Sequence, residues 1–292
     1  MAGYAFIAPA LICYLLLVAF PFCLTLILSF TEFNFLKVRD IARLGDYIEW
    51  IGLENFVNAF RDRRFMASVS NTFVYAIATV PASIFLGLFL AYVLNGRIFM
   101  KKLLRLAFFI PYISSVVAVG AVFKFLFRED GIVNGLLQSI GLAAEPIKWT
   151  VDARFTKIPI ILLVIWTSLG YVLIVYMAAL QNVPRSLYEA ATIDGATGLQ
   201  QFRCITLPLV SPTTFYLVIV RLIAVFKIFG SVNVFTMGSS ITSNTSMVQE
   251  IYSTAFSNYQ HGYASAQSVL LLIIIVFFTA LNFAGQKKWV HY

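Results

Sequence analysis

The chain has 292 residues, of which 60% are hydrophobic and 12% are charged, and its mean hydropathy is +0.87. Soluble domains carry about 25% charged residues, so this composition excludes an ordinary soluble domain and indicates a helical membrane protein. The formal net charge of +8 does not predict nucleic-acid binding, because the basic residues are not interleaved with aromatic residues on a polar face.

Six segments are long and apolar enough to cross a bilayer, which requires about 20 apolar residues in a helix. They are residues 4–30, 68–94, 103–127, 158–180, 212–236 and 264–285. Prolines inside several of these runs are compatible with membrane helices, because neighbouring helices can satisfy the freed carbonyl groups. We predict an all-α polytopic membrane protein with six transmembrane helices, in which residues 1–292 form a single domain.

An even number of spans places both termini on the same side of the membrane. The short loops on that side are strongly basic, and short basic loops indicate the cytoplasmic face. These loops and the tail contain Arg97, Lys101, Lys102, Arg105, Arg185, Arg203, Lys287 and Lys288, opposed by Glu189 and Asp194. We therefore expect both termini to be cytoplasmic.

The fourth and fifth predicted spans are joined by a loop of mixed polarity, residues 182–211. Ser186 and Glu189 have the spacing of a capping box at a helix start, and Gly195 can end that helix in the left-handed conformation. Thr197 and Gln200 form a second S/T-x-x-E/Q pair. The loop therefore predicts a helix–turn–helix unit on the cytoplasmic surface. On these residues alone, an ordinary amphipathic interfacial helix remains an equal alternative.

This loop resembles the EAA loop of the permease subunits of binding-protein-dependent ABC importers. The family pattern is approximately EAA-x-x-DGA-x5-F-x-x-I-x-LP-x3-P. It is matched without a gap by Glu189, Ala190, Ala191, Asp194, Gly195, Ala196, Phe202, Ile205, Leu207, Pro208 and Pro212. The stretches IGLENFVNAFRDRRFMASVSNTF, GIVNGLLQSIG and HGYASAQSVLLL resemble the carbohydrate-uptake branch, and within it the first permease of maltose, glycerol-phosphate and oligosaccharide systems. One departure is TMGSS after the fifth span, where relatives often have T-x-G-G-P.

The resemblance implies a type I ABC importer permease fold in a bacterial inner or plasma membrane. It implies a pathway for a carbohydrate, an oligosaccharide in our interpretation, that works by alternating access. The implied partners are a second homologous permease, two cytoplasmic ATPase subunits, a periplasmic or extracellular sugar-binding protein and membrane lipid. The residues implied in ATPase coupling are Glu189, Ala190, Ala191, Asp194, Gly195, Ala196, Leu207 and Pro208. Within this set, Glu189 is expected to bind a cation of the ATPase, and Leu207 with Pro208 to anchor the loop.

Catalytic and cofactor-binding motifs are missing from the sequence. It contains no G-x-x-x-x-G-K-[ST] phosphate loop and no Cys/His cluster with metal-ligand spacing. The predicted spans contain no Asp or Glu, although ion-coupled carriers use such groups. We therefore expect no enzymatic activity, cofactor or metal in this chain and ATP hydrolysis by a partner. A membrane-embedded enzyme, such as a lipid or polysaccharide transferase, and a self-sufficient carrier are the alternatives.

Polar residues in the fourth and fifth spans are candidates for the substrate pathway. Lys227 lies 15 residues after the start of the fifth predicted span, about 22 Å along a helix. The candidate pathway residues are Lys227, Ser231, Asn233, Trp166 and Tyr171. The alternative for Lys227 is that its side chain extends to the membrane interface. Arg221 and Lys124 are expected to snorkel or, for Arg221, to cap neighbouring carbonyl groups.

Overall fold

The structure is a computed structural model that describes residues 2–38, 40, 45–96, 99–236, 242–287 and 289–290. Two short antiparallel strands, β1 (Thr31–Glu32) and β2 (Glu49–Trp50), occur in this part of the chain. The helices are α1 (Ala2–Tyr14), α2 (Phe20–Leu28), α3 (Glu54–Arg61), α4 (Arg63–Asn95), α5 (Lys101–Ile113), α6 (Val116–Leu126), α7 (Ile132–Ser139), α8 (Lys157–Gln181), α9 (Arg185–Ile193), α10 (Gly198–Gln201), α11 (Leu207–Leu209), α12 (Ser211–Phe226), α13 (Gly230–Thr236), α14 (Met247–Tyr252) and α15 (His261–Gln286). The predicted all-α class is confirmed.

Five helical segments are long and apolar enough to cross a membrane. They are Phe6–Leu28, Arg63–Asn95, Lys157–Gln181, Ser211–Thr236 and His261–Gln286. The second begins five residues before the predicted boundary at residue 68, because the Asp62 carboxylate accepts hydrogen bonds from the amides of Arg64 and Phe65 and caps the helix. A cap can thus extend a membrane helix into a charged segment that hydropathy alone excludes.

The third predicted span, residues 103–127, is wrong as a single straight helix. Helices α5 and α6 meet at an angle of 101°, and the described chain has six spans only if this bent pair counts as one. Pro111 has no amide hydrogen for the preceding turn. Ser114 and Ser115 then adopt extended backbone, with ψ of 153° and 124°. The Ser114 hydroxyl donates to the carbonyl of Ile110 at 2.7 Å, which satisfies one group at the break.

The fifth predicted span, residues 212–236, is also interrupted. Helix α12 ends at Phe226 and α13 begins at Gly230, so Lys227 lies in the break. The two broken spans pack against each other, since a Cβ on Gly230 would lie 2.8 Å from Cγ1 of Val116 in α6. The sequence departure after the fifth span falls on residues 237–240, outside the described residues.

The core is built on close packing between two of the long helices, α4 and α8. A Cβ on Gly87 in α4 would lie only 2.4 Å from Cγ1 of Val172 in α8. On the same helix α8, a Cβ on Gly170 would lie 2.5 Å from the carbonyl oxygen of Phe108 in α5. Small residues allow membrane helices to approach closely when lipid supplies no hydrophobic driving force between them.

A buried asparagine organises the loop between α6 and α8. The Asn134 amide nitrogen donates to three carbonyl oxygens, those of Arg128, Glu129 and Ile147, at 2.9–3.2 Å. Its oxygen accepts from the amide of Ile147 and from the indole of Trp149, at 3.1 and 2.9 Å. The short helix α7 is followed by Gly141 in the left-handed conformation, with φ of +74°.

Candidate functional site

The first helix of the loop between α8 and α12 ends in a well-formed glycine turn. Gly195 has φ of +77°. Its amide donates to the carbonyl of Thr192 at 3.1 Å, and the Ala196 amide donates to that of Ala191 at 2.9 Å. These two bonds form a Schellman motif, as the sequence predicted for Gly195. The direction in which the chain leaves α9 is therefore set by one residue that needs a positive φ.

The two capping boxes predicted in this loop have different outcomes. The second is confirmed, because Thr197 and Gln200 exchange side chain–backbone hydrogen bonds at the start of α10. The first is wrong, because α9 already begins at Arg185, and Ser186 therefore lies inside the first turn. Pro184, whose backbone is extended, precedes this start.

Contacts inside the loop join its two helices into one body. The side-chain amide of Gln201 donates to the Thr192 hydroxyl at 3.0 Å and to the Ala196 carbonyl at 3.3 Å. The Tyr188 hydroxyl and the Thr206 hydroxyl are 2.8 Å apart. Because Thr206 is fully buried, this hydrogen bond connects the exposed helix α9 to the interior of the bundle.

The loop is anchored to the spans by residues that the sequence analysis did not assign. The ring of Phe202 packs edge-on against Tyr92 of α4, with centroids 4.9 Å apart, and Val210 is fully buried in the core around α4 and α8. Leu207 is 46% exposed and Pro208 is half-buried. The sequence spacing of these residues could not show which side chains point inward. A π-helical turn at Phe202–Thr206 changes the angle between successive side chains around the helix axis.

The outward surface of the loop combines two carboxylates, those of Glu189 and Asp194, with exposed aliphatic side chains. Glu189 and Ala190 are exposed on α9, and within the described residues Glu189 forms no ion pair. Asp194 and Gly195 are exposed at the turn, whereas Ala191 and Ala196 are half-buried. The exposed large aliphatic residues are Leu187, Ile193, Leu199, Leu207 and Leu209, of which Ile193 is the most exposed at 87%. Such a cluster on a rigid loop is typical of a protein-binding surface.

The candidate pathway residues do not form one cluster. Tyr171 stacks on Tyr112, with centroids 5.5 Å apart, and its hydroxyl lies 2.9 Å from that of Tyr216. Trp166 is 40% exposed and packs against Phe123. Lys227 is exposed in the break between α12 and α13.

Ser231 lies after the break, and Asn233 is half-buried further along α13. In a continuous helix, Lys227 and Ser231 would lie one turn apart on the same face. The break between α12 and α13 removes that relation.

A cavity between the spans, lined by both polar and apolar residues, is a feature that the sequence analysis missed. It has a volume of about 230 Å³ and lies between the α5–α6 bend and helices α8, α12 and α13. Arg221 lines it, together with Ser114, Thr167, Ser168 and Ser231. The Nε of Arg221 is buried and has no hydrogen-bond partner among the described residues, so this atom caps no carbonyl group there, and the expectation that the side chain snorkels stays a prediction. The position of Arg221 midway along the fifth predicted span was the sequence signal that could have pointed to this cavity. Lys124 does not simply snorkel, since its Nζ donates to the carbonyl of Val234 at 3.2 Å.

A bundle of membrane-length helices with a two-helix surface loop and a cavity between its spans is typical of a membrane transport component. The chain belongs to the family of binding-protein-dependent transport system inner membrane components, whose family model matches residues 59–288. The chain is therefore a multi-pass membrane protein that works with a solute-binding protein.

Two relatives illustrate the range of the family. The chain is 32% identical over 290 residues to the lactose transport system permease protein LacF of Rhizobium radiobacter, covering 98% of this chain and 94% of that protein. It is 30% identical over 282 residues to the sn-glycerol-3-phosphate transport system permease protein UgpA of Agrobacterium fabrum, covering 95% of each.

One solved structure has the same fold over almost the whole chain. It is a bacterial alginate ABC transporter in complex with an alginate pentasaccharide-bound periplasmic protein, and one of its chains superposes with a TM-score of 0.80. The sequence identity is 23%, and the match covers 98% of this chain and 94% of that one. The predicted type I ABC importer permease fold is thus confirmed.

Proposed function

We propose that this chain is one of two permease subunits that line the pathway of an ATP-driven carbohydrate importer, and that α9 binds a separate ATPase. The observation that carries the proposal is the exposed, apolar surface of a loop whose backbone is rigid. The relatives support the substrate class, since lactose, sn-glycerol-3-phosphate and alginate are all polyhydroxylated and too polar to cross a bilayer unaided.

The contacts of the loop define a route by which movement of α9 would reach the spans. The Tyr188–Thr206 hydrogen bond connects α9 to the buried part of the loop. From there, Phe202 contacts Tyr92 of α4, and Val210 directly precedes α12. ATP-driven closure of two ATPase subunits would displace α9 of each permease and thereby rotate the spans between inward- and outward-facing states. Such coupling requires contacts that have discrete arrangements.

The proposed assembly also assigns the orientation of the chain. The ATPase needs cytoplasmic ATP, so α9 and both termini lie in the cytoplasm, in agreement with the basic short loops. The binding protein then approaches the opposite face, which carries α3, α7 and α14. Glu189 is proposed to bind a basic side chain of the ATPase, and the apolar residues beside it supply buried area.

Copurification tests the proposal. Burial of an isoleucine side chain contributes about 1.5–3 kcal/mol, so Ile193→Asp is expected to weaken ATPase binding by about tenfold to a hundredfold. The matched control is Leu142→Asp, since Leu142 is 73% exposed in the loop after α7, on the opposite face. ATPase yield is measured after affinity purification of the chain in detergent.

If Ile193→Asp retains the ATPase as well as Leu142→Asp does, α9 is not the docking helix. Uptake by the chain alone, reconstituted without the other subunits, would instead support a self-sufficient carrier. Turnover of a lipid or polysaccharide substrate by the chain alone would support the membrane-embedded enzyme.

A further inference from the structure

The cavity beside Arg221 lies deep in the membrane region. Arg221 is ten residues after Ser211, the first residue of α12, and thus about 15 Å along the helix. The hydrocarbon core of a bilayer is about 30 Å thick, so Arg221 is near its middle. A charge at this depth is costly, and intramembrane charges face a bundle interior or a water-filled cavity.

Arg221 has no counter-ion in the described part of the chain. The helices that pack around it contain no Asp or Glu, and its Nε is buried without a hydrogen-bond partner among the described residues. The phenols of Tyr112 and Tyr171 are near the guanidinium. Arg221 is half-buried, and a cation in such a place is stabilised when an anion or several hydrogen-bond acceptors reach it.

The hydroxyl groups of the cavity can accept hydrogen bonds from a bound ligand. The hydroxyls of Ser114, Thr167 and Ser168 each donate to a carbonyl of their own helix, at 2.7–2.8 Å. Their free lone pairs can therefore accept hydrogen bonds from the hydroxyl groups of a ligand. Tyr112 lines the same cavity and offers an aromatic face for a sugar ring.

We propose that this cavity is a subsite for an anionic carbohydrate, in which Arg221 binds a carboxylate, sulfate or phosphate group of the transported molecule. The planar guanidinium matches these groups with two parallel hydrogen bonds. Serine and threonine hydroxyls accept from the ring hydroxyl groups. A neutral sugar offers the guanidinium hydroxyl acceptors but no opposite charge, so the site favours an anionic sugar over a neutral one. The inference rests on the proposed importer function.

The test measures the electrostatic potential in the cavity of the assembled importer in nanodiscs. Cys13, Cys23 and Cys204 are exposed and are replaced by serine, and Ser114→Cys supplies one thiol at the cavity wall. The rates of its modification by an anionic and a cationic methanethiosulfonate reagent are compared. Arg221→Gln removes the charge, and Arg221→Lys retains it. Arg105→Gln is the matched control, since the Nε of Arg105 is also buried and without a partner among the described residues.

The ratio of the anionic to the cationic rate is expected to fall by about tenfold in Arg221→Gln. It should remain near the starting value in Arg221→Lys and Arg105→Gln. Galacturonate is expected to slow modification where galactose at the same concentration does not, and Arg221→Gln should abolish this protection. Nanodiscs with and without phosphatidylglycerol should give equal rates, which excludes a lipid headgroup as the bound anion.

Each of four results would overturn the subsite. They are an unreactive thiol, an unchanged ratio in Arg221→Gln, equal protection by both sugars, and no protection by galacturonate. An unchanged ratio is also the result expected if a carboxylate of the second permease neutralises Arg221. Retention of the ATPase and of ATP hydrolysis stimulated by the binding protein in Arg221→Gln would leave the importer function intact. Failure of the subsite is thereby distinguished from failure of the proposed function.

Discussion

Replacing Gly195 by alanine is expected to uncouple ATP hydrolysis from transport without a steric clash. The φ of Gly195 is +77°, and a Cβ built there meets no atom within 4 Å. The cost is therefore backbone strain alone, about 1–2 kcal/mol for an L-residue in the left-handed region. Since 1.4 kcal/mol is a factor of ten, the native turn becomes about 5 to 30 times less populated relative to alternatives. Asn tolerates this conformation better, so Gly195→Asn should have a smaller effect.

The assay is ATP hydrolysis stimulated by the solute-binding protein, together with uptake, in proteoliposomes containing the whole importer. Gly198→Ala is the matched control, because a Cβ at Gly198 also meets no atom within 4 Å and the residue does not require a positive φ. We expect Gly195→Ala to lower uptake per ATP hydrolysed while membrane insertion is unchanged. Equal uptake by the Gly195→Ala and Gly198→Ala variants would refute the argument that the Schellman turn sets the position of α9.

Three further predictions concern stability and are measured by thermal unfolding in nanodiscs. Asn134→Leu removes five hydrogen bonds. The free energy of unfolding is expected to fall by about 1–3 kcal/mol for each buried partner left unpaired. Unchanged proteolysis of the following loop would contradict this. Gly170→Ala places Cβ 2.5 Å from the Phe108 carbonyl oxygen and should destabilise the folded protein by about 1–3 kcal/mol. Gly285→Ala should not, because a Cβ at Gly285 meets no atom within 4 Å. Burial raises the pKa of Glu250 above its ordinary value of 4.5, so the folded state binds the proton more tightly. The contribution of the protonated Glu250 carboxyl to stability is complete below pH 4.5 and is lost as the pH rises through the raised pKa. Glu250→Gln should remove this pH dependence. Identical profiles of stability against pH for the native protein and the variant would refute the assignment.

Local patterns predicted the parts of the coupling loop that depend on neighbouring residues. The glycine turn at Gly195 and the capping box of Thr197 with Gln200 both formed, because each involves a few adjacent residues. The proposed box of Ser186 with Glu189 failed, since Pro184 is the N-cap and the helix begins two residues earlier than the box requires. The inward anchors Phe202 and Val210 could not be predicted, because their burial depends on packing against other spans.

The amino-acid sequence by itself determined the class of protein, the membrane spans and the family motif. Transfer of apolar side chains into lipid and the closing of short hydrogen-bonded turns depend on residues close together in the chain. Only the tertiary structure decided where the third and fifth spans break and which polar groups meet. Gly230 approaches Val116, more than a hundred residues away, and the two breaks open the cavity that Arg221 lines. Such long-range packing has no signature in the local periodicity of either segment.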